Sequence, residues 1–372
     1  MRLRHTILAA SIAIALALGG SGQRSAPAPA AATAARLTDQ QFWQLIDEFS
    51  EPGGFFRSEN LVSNEDTFQH VIPRLQAAIK PGGVYVGVGP DQNYTYIAAL
   101  APRIAFIPDV RRGNLHVHLM YKALFELSAD RAEFLARLFG RRKPAGVGAG
   151  MTPAALFDAI DDATFGRDRA AYDDNLKAIL AQLEQRRGTP LSNEDRSGIG
   201  YVYAQFYSGG PHLTYSSNGV GRTRYPTFRE LQLATDGTGV ARGYLATEDA
   251  FRRVKAMHQQ NLIVPLVGNF AGARALRAIA AWTRDHGTVV TTFYTSNVEQ
   301  YLFQDGLWNA FAANVATMPV DDTSTFIRSC FNTCASPAGS RAVTLLDSIP
   351  SLLRDFQQGK VNGYWDVLSH SR

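Results

Sequence analysis

Two glycines, Gly87 and Gly89, close the apolar run Val84-Tyr85-Val86, and an acid, Asp109, ends the next apolar run, Ile104 to Ile107. Between them Pro90-Asp91 leads into Gln92 and Asn93 at the start of a predicted helix that reaches Ala101. Strand, glycine turn, helix, strand and acid form a unit in which backbone approaches a ligand at the glycines, beside a helix N-terminus. An acid at the second strand's carboxyl end accepts hydrogen bonds from a ribose diol, so the chemistry indicated is nucleoside-cofactor binding. The third glycine of a dinucleotide fingerprint is missing, and a GxG turn also occurs where a strand simply turns tightly. Arg111 and Arg112 follow the acid, either as a solvated pair or as a clamp for a carboxylate.

Further polar groups stand where other apolar runs end. Gly268-Asn269-Phe270 closes Asn261 to Val267, a continuous apolar run of the kind that forms a buried parallel strand. Ser296, Asn297 and Glu299 follow the run Thr288 to Tyr294. All would share one rim with Gly89 and Asp109. His212, in Gly209-Gly210-Pro211-His212, is a candidate general base or a solvated loop histidine. His116 and His118 lie two apart on a predicted helix, do not share a face and have no third ligand, so no metal is expected.

The elements that position these groups alternate in helical and strand periods. Thr38 caps a helix carrying Phe42, Leu45, Ile46 and Phe49, and a second helix is predicted around Asn64 to Lys80. Helices over Leu115 to Leu127 and Asp130 to Phe139 follow Asp109. Residues 140 to about 240 look like an insertion, with helices at Pro153 to Phe165 and Asp168 to Arg187 and a Gly-, Ser- and aromatic-rich stretch from Tyr201 to Tyr225. Such insertions commonly cover the active face of an α/β fold. The regular pattern returns with helices over Thr247 to Gln260 and Ala273 to His286, and ends in a weak strand over Thr325 to Ser329 and a helix over Ser348 to Gln358. The expected fold is a doubly wound, mostly parallel α/β sheet.

The chain has 372 residues, 45% hydrophobic and 19% charged, which excludes a fibrous or disordered protein. A basic n-region, Met1 to His5, and an apolar stretch, Thr6 to Gly20, predict a signal peptide over residues 1–22, with an uncleaved anchor as the alternative. An Ala/Pro linker over 23–36 then precedes a single domain from residue 37 to 372. Loss of residues 1–36 removes four arginines and no acid, so the formal net charge of +4 belongs to the leader. Nucleic acid and anionic membrane thereby lose their compositional support as partners. The periplasm or the exterior is the expected location, and there Cys330 and Cys334, spaced CxxxC, would form a local disulfide provided the stretch is a loop.

Together, GVGPDQNY, FIPDVRRGN, NLIVPLVGNFAG and FYTSNVEQYL resemble a family of largely uncharacterised proteins described as remote relatives of S-adenosylmethionine-dependent methyltransferases, from about Phe42 to Ile327. The resemblance implies a methyltransferase-like, Rossmann-like fold with S-adenosylmethionine as cofactor. Gly87 and Gly89 would lie under its amino-acid portion, with Gln92, Asn93 and Arg111 alongside and Asp109 on its ribose. Asn269 and Phe270 would be the catalytic pair of the post-strand-four motif, orienting a methyl acceptor, with His212, Ser296, Asn297 and Glu299 at the substrate rim. The chain departs from the general pattern in having no acid before Gly87 and an amide at position 269.

Two functions follow. One is methyl transfer, which depends mainly on positioning. The other is a non-catalytic binder of a small ligand that keeps the pocket without the chemistry. A hydrolase has little support, since the chain lacks a GxSxG elbow.

Overall fold

Parallel sheets are covered on both faces and so are built from short, nearly continuous apolar runs, and five strands pair in parallel here. The computed structural model describes residues 36–161, 168–215, 225–331 and 334–371. Among these, fifteen α-helices surround one six-stranded sheet. Its strands are β1 (Val84–Val86), β2 (Ile104–Asp109), β3 (Ile263–Val267), β4 (Val290–Ser296), β5 (Thr325–Phe331) and β6 (Ala342–Ser348). The order is β3-β2-β1-β4-β5-β6, parallel up to β5, with β6 antiparallel at the edge. This mixed, mostly parallel α/β sheet is compatible with a Rossmann-like fold. The strand sequence runs outward from β1 to β3 and then resumes on the other side of β1, so a topological switch point lies between β1 and β4.

Register explains two prolines that would be costly in a central strand. β1 pairs with β2 only as far as Val86 opposite Phe106, so Pro108 stands beyond the last β1 pair. Pro265 is in β3, on the sheet's edge.

The structure differs from these expectations at three places. The helix predicted at Asn64 to Lys80 is confined to Ile72–Ala78. Upstream, the Thr67 hydroxyl donates to the Ala342 carbonyl and the Gln69 side chain accepts from the Arg242 amide, so tertiary partners hold that segment in turns. Pro73 sits in the first helical turn, where its missing N–H costs nothing. The stretch from Tyr201 begins inside a helix, Asn193–Gly209, which Ser192 caps and which buries Val202, Tyr203 and Phe206. Its Gly198 leaves room for the His116 ring, which would stand 2.1 Å from an added Cβ. Strand β6 was not predicted at all.

Asp195 ties the Asn193–Gly209 helix to the helix Arg112–Leu127. It accepts from Arg112 Nη2 at 2.7 Å and Ser192 Oγ at 2.7 Å, and His116 Nε2 lies 2.9 Å away. Burial opposes its charge, but these partners hold the carboxyl well below the usual range. His118 is separate, hydrogen-bonded to Tyr94 and to the Gly89 carbonyl. Among the described residues no group of three His, Cys, Asp or Glu is placed to hold a metal ion. None of the described helices is long and apolar enough to cross a membrane. The predicted signal peptide and nearly all of the linker lie outside the described residues.

Cys330, in β5, forms a disulfide with Cys334 beyond the strand's end. A loop this small limits the chain-entropy contribution to about 2 kcal/mol. Replacing both cysteines with serine is expected to lower stability by no more than that in urea titrations. A loss well above this value would show that the bridge also shapes β5.

Candidate functional site

At the carboxyl ends of β1 to β4 the chain leaves a cavity of about 220 Å³, which spans the switch point. Gly89 and Gln92 line it from the β1 turn, Asp109 and Arg111 from β2, Asn269 and Phe270 from β3, and Ser296 and Asn297 from β4. Four predicted site residues do not line it: Gly87, Asn93, His212 and Glu299.

The two glycines do different jobs. Gly89 has φ of +76°, and a Cβ there would meet only Asn60 Nδ2 at 3.4 Å and Gln92 Nε2 at 3.5 Å. At Gly87 a Cβ would stand 2.0 Å from Asn93 Oδ1. Asn93 is fully buried beneath the turn, where its Nδ2 donates to the carbonyls of Val88, Gly89 and Pro90 and its Oδ1 accepts from the Tyr85 hydroxyl. Gly87 and Asn93 therefore build the turn, and Gly89 presents it to the cavity. His212 is paired with Asp161 at 2.7 Å, with its side chain 67% exposed, in the insertion. Glu299 is buried in an ion pair with Arg328, which also reaches Asp347 at 2.8 Å. A carboxylate committed to that guanidinium is not a rim group.

Asp109 accepts from the Arg111 backbone N–H at 2.9 Å, and the Arg111 guanidinium lies 3.6 Å away. Burial raises its carboxyl above the usual range against the pull of Arg111. Arg111 donates through Nη1 to the Glu59 carbonyl, while its buried Nη2 has no partner. Asn269 folds back, its Oδ1 accepting from the Ala271 N–H. The carboxylate of Glu51 accepts from the backbone N–H groups of Asn269, Arg274 and Ala275, so the loop before the helix Ala275–Asp285 has its anion from within the chain. Phe270 is stacked on Phe311. The strand that ends there is the third in the chain and lies on the sheet's edge, so the post-strand-four position expected of Asn269 and Phe270 is held instead by Ser296 and Asn297.

Sequence reasoning missed Glu65, Tyr294 and Tyr215, all on the cavity wall. Glu65 Oε1 accepts from the Tyr294 hydroxyl at 2.7 Å and from Ser296 Oγ, and the Tyr294 hydroxyl in turn accepts from Gln92 Nε2 at 2.7 Å. Burial raises the Glu65 carboxyl, although Ser296, Ser329 and Tyr294 favour its charge. Ser296 has φ of 53°, a conformation that costs a non-glycine residue about 1–3 kcal/mol and points to function when the surrounding structure enforces it. Tyr215 comes from the insertion. A signal for Glu65 existed in the polar run Ser63-Asn64-Glu65-Asp66, which the helical assignment hid.

Directly after the turn, burial raises Asp91 to about 6, against hydrogen bonds from Tyr244 and Gln232. The folded chain thus holds this proton to higher pH than the unfolded chain. The resulting penalty is absent below the ordinary value of 3.8 and grows as pH rises toward about 6, to about 3 kcal/mol at 1.36 kcal/mol per unit. Asp91→Asn removes it, so the variant's stability relative to wild type should climb through that window and then level off. A difference in urea midpoint that stays flat with pH would contradict the assignment.

No curated protein matches the chain. The family model described as a domain of unknown function (DUF7790) matches residues 60–149 and 218–357. The matched parts carry Glu65, the glycine turn, Asp109 and the β3 and β4 ends, and the stretch between them carries His212 and Tyr215. With more than half of its length matched, the chain belongs to the DUF7790 family, a domain of unknown function.

Proposed function

We propose that the cavity binds a nucleoside ligand, S-adenosylmethionine or a close relative, in a methyltransferase-like fold. The observation that carries this reading is the meeting of Gly89, with its positive φ, and buried Asp109 over one cavity at the sheet's switch point. The cavity is small for a ligand pocket, so such a ligand would fill it and reach the mouth at Phe55. Binding without transfer is favoured over catalysis by Ser296, which holds the post-strand-four position and whose hydroxyl is spent on Glu65. An exported chain, periplasmic or secreted, would also meet little of this cytosolic cofactor.

Calorimetric titration of the purified protein with S-adenosylmethionine and S-adenosylhomocysteine tests the proposal. Saturable one-to-one binding is expected, and Asp109→Ala should weaken it about tenfold or more through loss of a charge-assisted hydrogen bond worth about 1.5–3 kcal/mol. Absence of binding by wild type, or unchanged affinity in the variant, would remove the nucleoside reading.

A further inference from the structure

The polar groups of the cavity are not balanced. Glu65, Asp109 and Asp305 bring three carboxylates to its lining and Arg111 one cation, which already faces Asp109. Two buried acceptors on the wall, Glu65 Oε2 and Gln92 Oε1, have no hydrogen-bond donor. Glu65 is 1% exposed, and the groups around it are the hydroxyls of Ser296, Tyr294 and Ser329 and the like charge of Asp66. The Ser329 hydroxyl, itself without another partner, stands close enough to favour the charge of Glu65. A buried carboxylate without a counter-ion is costly, and an unmet acceptor beside it calls for a donor. The remaining walls include the rings of Phe56, Tyr215 and Phe270, whose faces attract cations, and that of Tyr301, over which Arg57 already lies at 5.4 Å from the centroid.

We propose that the cavity selects a ligand bearing an ammonium group, which enters between Glu65 and Gln92 while Arg111 Nη2 takes an acceptor elsewhere on the same molecule. This rests on the nucleoside reading only for the rest of the ligand, and the two can be separated. The probes are 5′-amino-5′-deoxyadenosine and adenosine, which differ by an ammonium in place of a hydroxyl, and butylammonium and butanol, which lack the nucleoside.

Near neutral pH, calorimetry should show the aminonucleoside binding at least about tenfold more tightly than adenosine, a difference of about 1.4 kcal/mol. Glu65→Gln, checked by thermal melt, should bring the two within about twofold. Equal affinity for the two nucleosides in wild type overturns the ammonium site and leaves the nucleoside reading standing. Preference for butylammonium over butanol with neither nucleoside bound supports the ammonium site and removes the nucleoside. A preference that survives in folded Glu65→Gln overturns the role of Glu65, and failure of all four probes overturns both proposals. Because the wild-type comparison decides by itself, a variant that does not fold leaves the test intact.

Discussion

Replacing Arg328 with alanine is expected to cost about 3–5 kcal/mol, the range for breaking a buried ion pair by removing one partner. Its guanidinium is fully buried, bidentate to Glu299 and bonded to Asp347, whose side chains are 1% and 4% exposed. It also lies over the Phe326 ring, at 4.5 Å from the centroid. Alanine would leave two carboxylates in the interior with no counter-ion and a void where the side chain packed. The three partners stand on β5, on β6 and on the helix Val298–Gln304 after β4, so the damage falls on the half of the sheet beyond the switch point. Urea unfolding of the variant would read it as a lowered midpoint. Replacing all three residues with apolar ones of similar volume should restore most of the loss, because the pair's attraction is largely offset by desolvation. A loss below about 1 kcal/mol in the single variant would mean that water reaches the triad.

That triad also shows where the sequence was ambiguous. A carboxylate shortly after an apolar strand looks the same whether it faces a ligand or a guanidinium, and the partner of Glu299 is 29 positions away in sequence. Asn93 poses the same problem at short range, since an amide next to a glycine turn can face outward or close the turn from beneath. The strands β1 to β4 were legible because burial on both faces demands unbroken apolar runs, and their carboxyl ends followed from the parallel pattern. From those ends came Gly89, Asp109 and Ser296. Strand β6 was not legible: its residues largely alternate between buried and half-buried, and its only strand neighbour among the described residues is β5. Glu65 was hidden for another reason. Its segment is held in turns by Ala342 and Arg242, partners far along the chain, while its local spacing satisfies a helix.

The two glycines of the β1 turn should fail in opposite ways when each is changed to alanine. At position 87 the new methyl would lie 2.0 Å from Asn93 Oδ1 and 2.9 Å from the Tyr85 hydroxyl, well inside contact distance. The amide would have to leave its place, freeing the Tyr85 hydroxyl and three carbonyls in a buried setting. At about 1–3 kcal/mol for each group left without a partner, Gly87→Ala should lose about 3 kcal/mol or more of stability. Gly89→Ala has room for its methyl, with the nearest atoms at 3.4 and 3.5 Å, and bears only the cost of its left-handed backbone, about 1–2 kcal/mol. That methyl would stand beside Gln92 on the cavity wall, in the path of a ligand that needs backbone contact there. Its affinity for the adenosyl ligand should therefore fall at least about tenfold while the protein remains folded. Urea midpoints and calorimetric titrations on both variants separate the effects. Gly87→Ala as stable as wild type would refute the bracing role of Asn93, and Gly89→Ala with wild-type affinity would show that the turn does not touch the ligand.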